Sequence, residues 1–165
     1  MTEELPDSAK RVQQALITAG ISAQVLQLPQ STRTANDAAA AIGCRVEQIA
    51  KSLVFRRTDS NRPVLIIASG PNRVDERLVS SYLNAGIAKA DADFVRSTTG
   101  FAIGGVPPLG HELPLETLID RDLLQFDTIW AAAGTPNAVF SINPHQLVRA
   151  TGGRVLPIAA SRPHP

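Results

Sequence analysis

Two apolar runs with a polar turn between them constrain this chain more than any other feature. Leu53, Val54 and Phe55 lead into a turn around Asp59-Ser60-Asn61, and Val64 to Ala68 follow as a near-continuous apolar stretch. Runs of this kind, bounded by turn residues, read as strands buried on both faces, so the pair predicts a hairpin inside a covered sheet. Lys51 stands at the entrance of its first strand. Both faces must then be covered, and the flanking sequence supplies helices. Ser8 reads as the N-cap of a helix with Val12, Ala15, Leu16 and Ala19 at helical spacing, ended by Gly20. Val25, Leu26 and Leu28 read as a short strand stopped by Pro29. Thr34 reads as the cap of an Ala-rich helix from Ala35 to Ile42, closed by Gly43.

Further on, Leu78, Val79 and Leu83 share a helical face, and Asp91 to Arg96 read as a short helix beyond Gly86. Thr117 to Ile119, Asp127 to Ala132, Ala138 to Ile142 and the neighbourhood of Val155 read as strands, with a Pro-started helix from Pro144 to Ala150. Interleaved helices and strands around a hairpin predict an α/β fold with a mixed, largely antiparallel central sheet surrounded by helices. With 165 residues, 44% of them apolar, no repeat and no long linker, one domain is expected over 1–160, with 161–165 as a loose C-terminal tail.

The net charge is +1, which argues against an acidic disordered tail or a strongly basic nucleic-acid coat. Residues 45–77 nevertheless hold seven cations against four anions: Arg45, Lys51, Arg56, Arg57, Arg62, Arg73 and Arg77. That excess fits either a phosphate-facing surface or scattered solvated charge. Cys44 is the only cysteine, so no internal disulfide can form and a reducing cytoplasm fits. The first residues lack a basic start and an apolar run, and no stretch approaches the roughly 20 apolar residues of a membrane span. A cytoplasmic protein with no membrane partner is expected.

The familiar catalytic signatures are missing. There is no phosphate loop, no Gly-x-Ser-x-Gly elbow and no His-Glu-x-x-His element, and His111, His145 and His164 lie far apart, so neither a metal nor a cofactor is expected. Cys44 reads as a small core residue. Lys51 is out of keeping with the Leu, Val and Phe beside it, and either faces a ligand or snorkels to solvent. From Gly100 to Gly110 the composition turns to Gly, Pro and small apolar residues, which bares backbone amides that Pro107 and Pro108 hold in one shape. A close-approach loop for a substrate and a structural turn both fit. Trp130 and Phe101 read as base-stacking or core residues.

The order of these motifs carries a resemblance. Thr34-Ala35-Asn36-Asp37-Ala38-Ala39, Lys51-Ser52-Leu53-Val54-Phe55, Val64 to Ala68 with Gly70, and Gly104-Gly105-Val106-Pro107-Pro108-Leu109-Gly110-His111 together resemble the YbaK-like deacylases and the editing domain inserted in bacterial prolyl-tRNA synthetases. The resemblance spans about Ala9 to Val155. It implies hydrolysis, without metal or cofactor, of the ester joining a small, wrongly attached amino acid to the terminal adenosine of tRNA. Mischarged tRNA is then the substrate, with a synthetase as a further partner. Lys51 matches the residue that anchors the substrate end, while Gly104 and Gly105 match the pocket-lining amides near the aminoacyl carbonyl.

Val106, Pro107 and His111 belong to the same loop, His111 either bracing it or acting on a proton. Ala102, Val106 and Ala133 are candidates for a tight amino-acid pocket. Thr34 and Asp37 match an early motif and either shape the pocket wall or cap a helix. Gly134 matches a later motif, but Thr135-Pro136-Asn137-Ala138-Val139 departs from the basic and acidic residues of cysteine-removing members. Asn137 there contacts the substrate or serves a turn. The departure leaves the amino acid open, and a binding module that captures aminoacyl-tRNA or a synthetase without chemistry stands as the alternative.

Overall fold

A computed structural model describes residues 5–160, so the expectations for 161–165 and for His164 lie outside the described residues. Helix α1 (Asp7–Thr18) starts one residue ahead of Ser8: Pro6 holds φ at −57° and sets the entry, Asp7 supplies first-turn negative charge, and no side chain caps the end. Strand β1 (Leu26–Gln27) leads to α2 (Ala35–Ile42), where the Asp37 N–H donates to Thr34 Oγ1 at 3.0 Å, the cap read from the sequence. After a short helical turn, Val46–Gln48, the hairpin forms as β2 (Ile49–Arg57) and β3 (Pro63–Ser69).

Asp75 caps α3 (Glu76–Leu83) and Asp91 caps α4 (Ala92–Thr99), each accepting a backbone N–H three residues on. Between them lies β4 (Ile87–Lys89), a strand too short to leave an alternation in the sequence. Strand β5 (Glu116–Asp120), a second helical turn Arg121–Gln125, β6 (Ile129–Ala132), β7 (Ala138–Ile142), α5 (Pro144–Thr151) and β8 (Arg154–Leu156) complete the order.

The strands form one mixed sheet in the order β1-β7-β6-β2-β3-β5-β8, with β4 added beside β2. Pairs β1·β7, β2·β3, β2·β4 and β6·β7 are antiparallel, while β2·β6, β3·β5 and β5·β8 are parallel. Alternation along the hairpin sends Leu65 and Ile67 to one face, where they meet Val12 and Leu16 of α1, Val95 of α4 and Leu147 of α5. Val64, Ile66 and Ala68 go to the other, against Val79 and Leu83 of α3. Helix α2 packs on the α3 side, its Ala38 and Ala39 against Ile49 and Trp130. Burial on both faces is what the unbroken apolar runs encode.

Strand β6 leaves β2 after Ala50↔Ala131, and β4 joins it only at Phe55↔Lys89. Over residues 51–54, β2 is paired with β3 on one side and open on the other.

Candidate active site

The open edge of β2 is the floor of a cleft of about 1140 Å³. Lys51 shares the α2 and α3 face with Leu53 and Phe55, while Ser52 and Val54 share the opposite face with Val95 and Val106. The cleft therefore wraps the sheet edge and touches both layers. Its walls come from the start of α2 (Arg33, Thr34, Ala35, Asn36), the turn after β3 (Gly70 to Val74), the end of β4 (Lys89, Ala90), the loop residues Ile103, Gly104 and Val106, and Trp130 to Ala132 of β6.

Lys51 is half-buried, and its Nζ donates to the Asn72 carbonyl at 2.7 Å. Desolvation pushes its pKa below the ordinary lysine value, while the negative charge of Asp120 pulls the other way. A lysine held by a single carbonyl keeps two N–H donors for other partners. Asn72 is itself 6% exposed, with Nδ2 at 2.8 Å from both Asp120 Oδ2 and Asp122 Oδ2. Its turn is tightened by the Asn72 N–H, which donates to the Ser69 carbonyl at 2.9 Å. Neither Asn72 nor Asp120 carries a mark of this role in the sequence, because Gly70-Pro71-Asn72 is an ordinary turn signal and Asp120 stands 69 positions from Lys51.

Ser52 is the second residue to come forward. Its Oγ is buried and, among the described residues, has no hydrogen-bond partner. The Arg57 N–H donates to the Arg62 carbonyl, which turns odd-numbered peptide groups of β2 toward β3. By alternation, the N–H and C=O of Ser52 point to the open edge.

The Gly/Pro loop is fixed from behind. The Gly105 N–H donates to the Ala102 carbonyl at 3.0 Å, and the Gly105 carbonyl accepts from the Gly134 N–H at 2.9 Å. A Cβ on Gly105 would stand 2.8 Å from the Gly134 backbone, and one on Gly134 would stand 2.6 Å from the Ser8 carbonyl. These two glycines let two loops and α1 touch backbone to backbone. Gly105 thus spends its amide on the loop, whereas its neighbours Gly104 (φ +93°) and Val106 line the cleft, and their N–H groups bond no described residue.

Of the residues singled out in the sequence, Lys51, Thr34, Gly104 and Val106 line the cleft. Gly105, Pro107, Asp37, His111, Gly134 and Asn137 do not. Asp37 serves the α2 cap through its N–H. The His111 ring lies 2.7 Å from the Pro107 carbonyl and edge-on to Phe101, bracing the loop, and burial pushes its pKa down. Asn137 ties its turn to the segment before α2, with Nδ2 3.4 Å from the Leu28 carbonyl and its own carbonyl accepting the Leu28 N–H. Ala102 and Ala133 lie outside the cleft, Ala133 fully buried, and Phe101 is in the core while Trp130 is on the cleft wall.

The charge also differs from the linear picture. Arg45 pairs with Glu47, Arg56 donates to Asn61, and Arg57 pairs with Asp59 and Glu116. The cleft cations are Arg33, Lys51, Arg73 and Lys89, with Glu76 as the acid among them. Among the described residues, no three His, Cys, Asp or Glu side chains gather as a metal would require, and no helix is long and apolar enough to cross a membrane.

The fold and the cleft together define a mixed α/β domain with a cation-edged cleft, floored by an open strand edge and walled by a glycine loop. The aminoacyl-tRNA editing domain family matches residues 29–150, and the chain belongs to it. A solved structure of a candidate trans-editing enzyme for prolyl tRNA synthetase is 44% identical, with a TM-score of 0.90 over 96% of this chain and 100% of that one. A scaffold protein used for computational backbone grafting of linear epitopes is 42% identical, with a TM-score of 0.90 over 95% and 100%. The uncharacterized protein YwhH of Bacillus subtilis (strain 168) is 31% identical over 123 residues, 74% of this chain and 78% of YwhH.

Proposed function

We propose that the chain is a trans-editing hydrolase that removes a small, wrongly attached amino acid from the terminal adenosine of tRNA. The observation that carries this reading is one cleft lined by Lys51 together with Gly104 and Val106, two residues whose N–H groups bond no described residue. An aminoacyl ester is already activated, so its hydrolysis calls for a placed water and for donors where charge develops. Water adds to the carbonyl carbon, the bond to the ribose oxygen breaks, and that oxygen leaves with a proton. The products are the free amino acid and uncharged tRNA.

In this scheme the Gly104 and Val106 amides stabilise the carbonyl oxygen as it gains charge, at about 3 kcal/mol per donor. Lys51 holds the substrate end by its charge. A ribose hydroxyl next to the ester, which the family resemblance brings in, assists because its geometry is already fixed. The cleft combines small apolar residues, Ala35, Ala38, Ala50, Ala90, Ala131 and Val139, with the cations Arg33, Lys51, Arg73 and Lys89, a lining that suits a small amino acid carried on a phosphate-bearing end. Editing is needed for small ones, since a synthetic site rejects a substrate smaller by one methylene by only about 1 to 3 kcal/mol. The reading takes 1–160 as the editing domain and the cytoplasm, where charged tRNA resides, as its location.

The test is incubation of the purified chain with a panel of tRNAs charged with small amino acids, together with Lys51→Ala. Deacylation of at least one member, lost in the variant, is expected. No release across the panel by folded protein, with tRNA binding retained, would replace the enzyme by a binding module.

A further inference from the structure

The carboxylate of Asp120 is 1% exposed, in a sheet whose neighbouring positions Leu118 and Ile119 are fully buried. An ionised group there needs donors around it. Its two oxygens divide the task. Oδ1 accepts the Asp122 N–H at 3.0 Å and so starts the helical turn after β5, an ordinary capping role. Oδ2 faces the other way and accepts the Ser69 N–H at 3.0 Å and Asn72 Nδ2 at 2.8 Å. The Asn72 amide is shared with Asp122 Oδ2, so two carboxylates fix its plane. The carbonyl of that same Asn72 receives Lys51. On the far side, Ser69 Oγ donates to the Glu47 carbonyl at 2.6 Å, and Gly70 approaches the Val46 carbonyl so closely that a Cβ would stand 2.1 Å from it. The turn is thus gripped from both sides with one carbonyl presented to the lysine.

We propose that Asp120 is a positioning residue for Lys51: through the Asn72 turn, whose side chain it holds and whose carbonyl receives the lysine, it sets where the ammonium stands. The purpose that this serves rests on the deacylase reading; the coupling itself does not. Lys51 loses hydration on entering the cleft, which favours the neutral amine, and Asp120 is the charge that opposes this. The other ionisable groups around it are Asp122 behind the turn, Glu47 beside Ser69, and Arg33, Arg73, Glu76 and Lys89 on the cleft walls.

Asp120→Asn keeps the volume but removes the charge. Either the new NH2 group faces the Ser69 and Asn72 donors, or the amide flips and abandons the Asp122 N–H. Asn72→Ala cuts the side-chain link while leaving the main-chain carbonyl, and it serves where Asp120→Asn does not fold.

The measurement is a heteronuclear NMR titration of the Lys51 side chain in the full chain without substrate, paired with the pH profile of deacylation. In Asp120→Asn the Lys51 midpoint falls, the alkaline limb of kcat/KM moves to lower pH, and kcat drops while KM rises, so that kcat/KM falls about tenfold or more. Asn72→Ala lowers kcat in the same way. An unchanged Lys51 midpoint in Asp120→Asn, or wild-type kcat in a folded variant, overturns the proposal. The titration needs no turnover, so a shifted midpoint in a chain without deacylase activity would sink the enzymatic reading and leave the coupling standing.

Discussion

At the scale of single residues, the site is assembled from groups with unequal visibility. Lys51 stands out because a cation among Leu, Val and Phe breaks a pattern. Ser52, beside it, breaks nothing, since a small polar residue is unremarkable in a strand. Only the fold shows that its Oγ is buried with no described partner. A buried hydroxyl left unpaired costs about 1 to 3 kcal/mol, so a fold that keeps one at a cleft invites a functional reason. Ser52→Ala is expected to leave stability unchanged or raise it by about 1 kcal/mol in urea unfolding, while kcat/KM for deacylation falls. A stabilised variant with wild-type kcat/KM would make the hydroxyl a mere imperfection of packing.

At the scale of elements, the helices are where sequence and structure agree best, because caps are local. Thr34, Asp91 and Pro144 mark their helices within a residue, and the Ala35 to Ile42 helix has the bounds its cap and Gly43 predict. The miss at α1 is also local: Pro6 starts the helix ahead of Ser8. The glycine loop is different. Its composition signals bare backbone but not which amide is spent and which remains, a matter decided by Gly134 some thirty positions away. Gly105→Ala forces a Cβ to 2.8 Å from the Gly134 and Thr135 backbone, which cannot swing aside as a side chain would. The expected cost is about 1 to 3 kcal/mol of stability, with a loss of kcat beyond it as Gly104 and Val106 shift. Wild-type unfolding and turnover would show that the two loops are not locked together.

At the scale of the whole molecule, the charge offered at the cleft is set by topology. Residues 45–77 hold the excess of cations, yet much of it is spent on local pairs, and the cleft recruits Arg33 and Lys89 from outside that segment. Binding of charged tRNA is therefore expected to weaken as salt rises, with Arg33→Ala and Arg73→Ala each lowering the slope of log K against log salt by about 0.7, the value for a single-strand phosphate. Arg45→Ala, whose guanidinium sits on Glu47 and over the Phe126 ring, should leave that slope unchanged. An equal effect from all three would put the RNA across the surface and not at the cleft.

Near neighbours and residue pattern dictate the buried hairpin, the capped helices and the mixed α/β class, and they set Lys51 and the glycine loop apart from their surroundings. Packing of distant segments dictates that β6 leaves β2 before β4 joins it, which opens the strand edge and makes the cleft. It also joined Lys51 to Asp120 through Asn72, moved Gly105, Gly134, His111 and Asn137 from the cleft to its supports, and turned Gly104 and Val106 into the amides that remain. The reason is physical: a hydrogen bond or a backbone contact between distant segments is chosen by packing, and neither partner carries a mark of the other in its own neighbourhood.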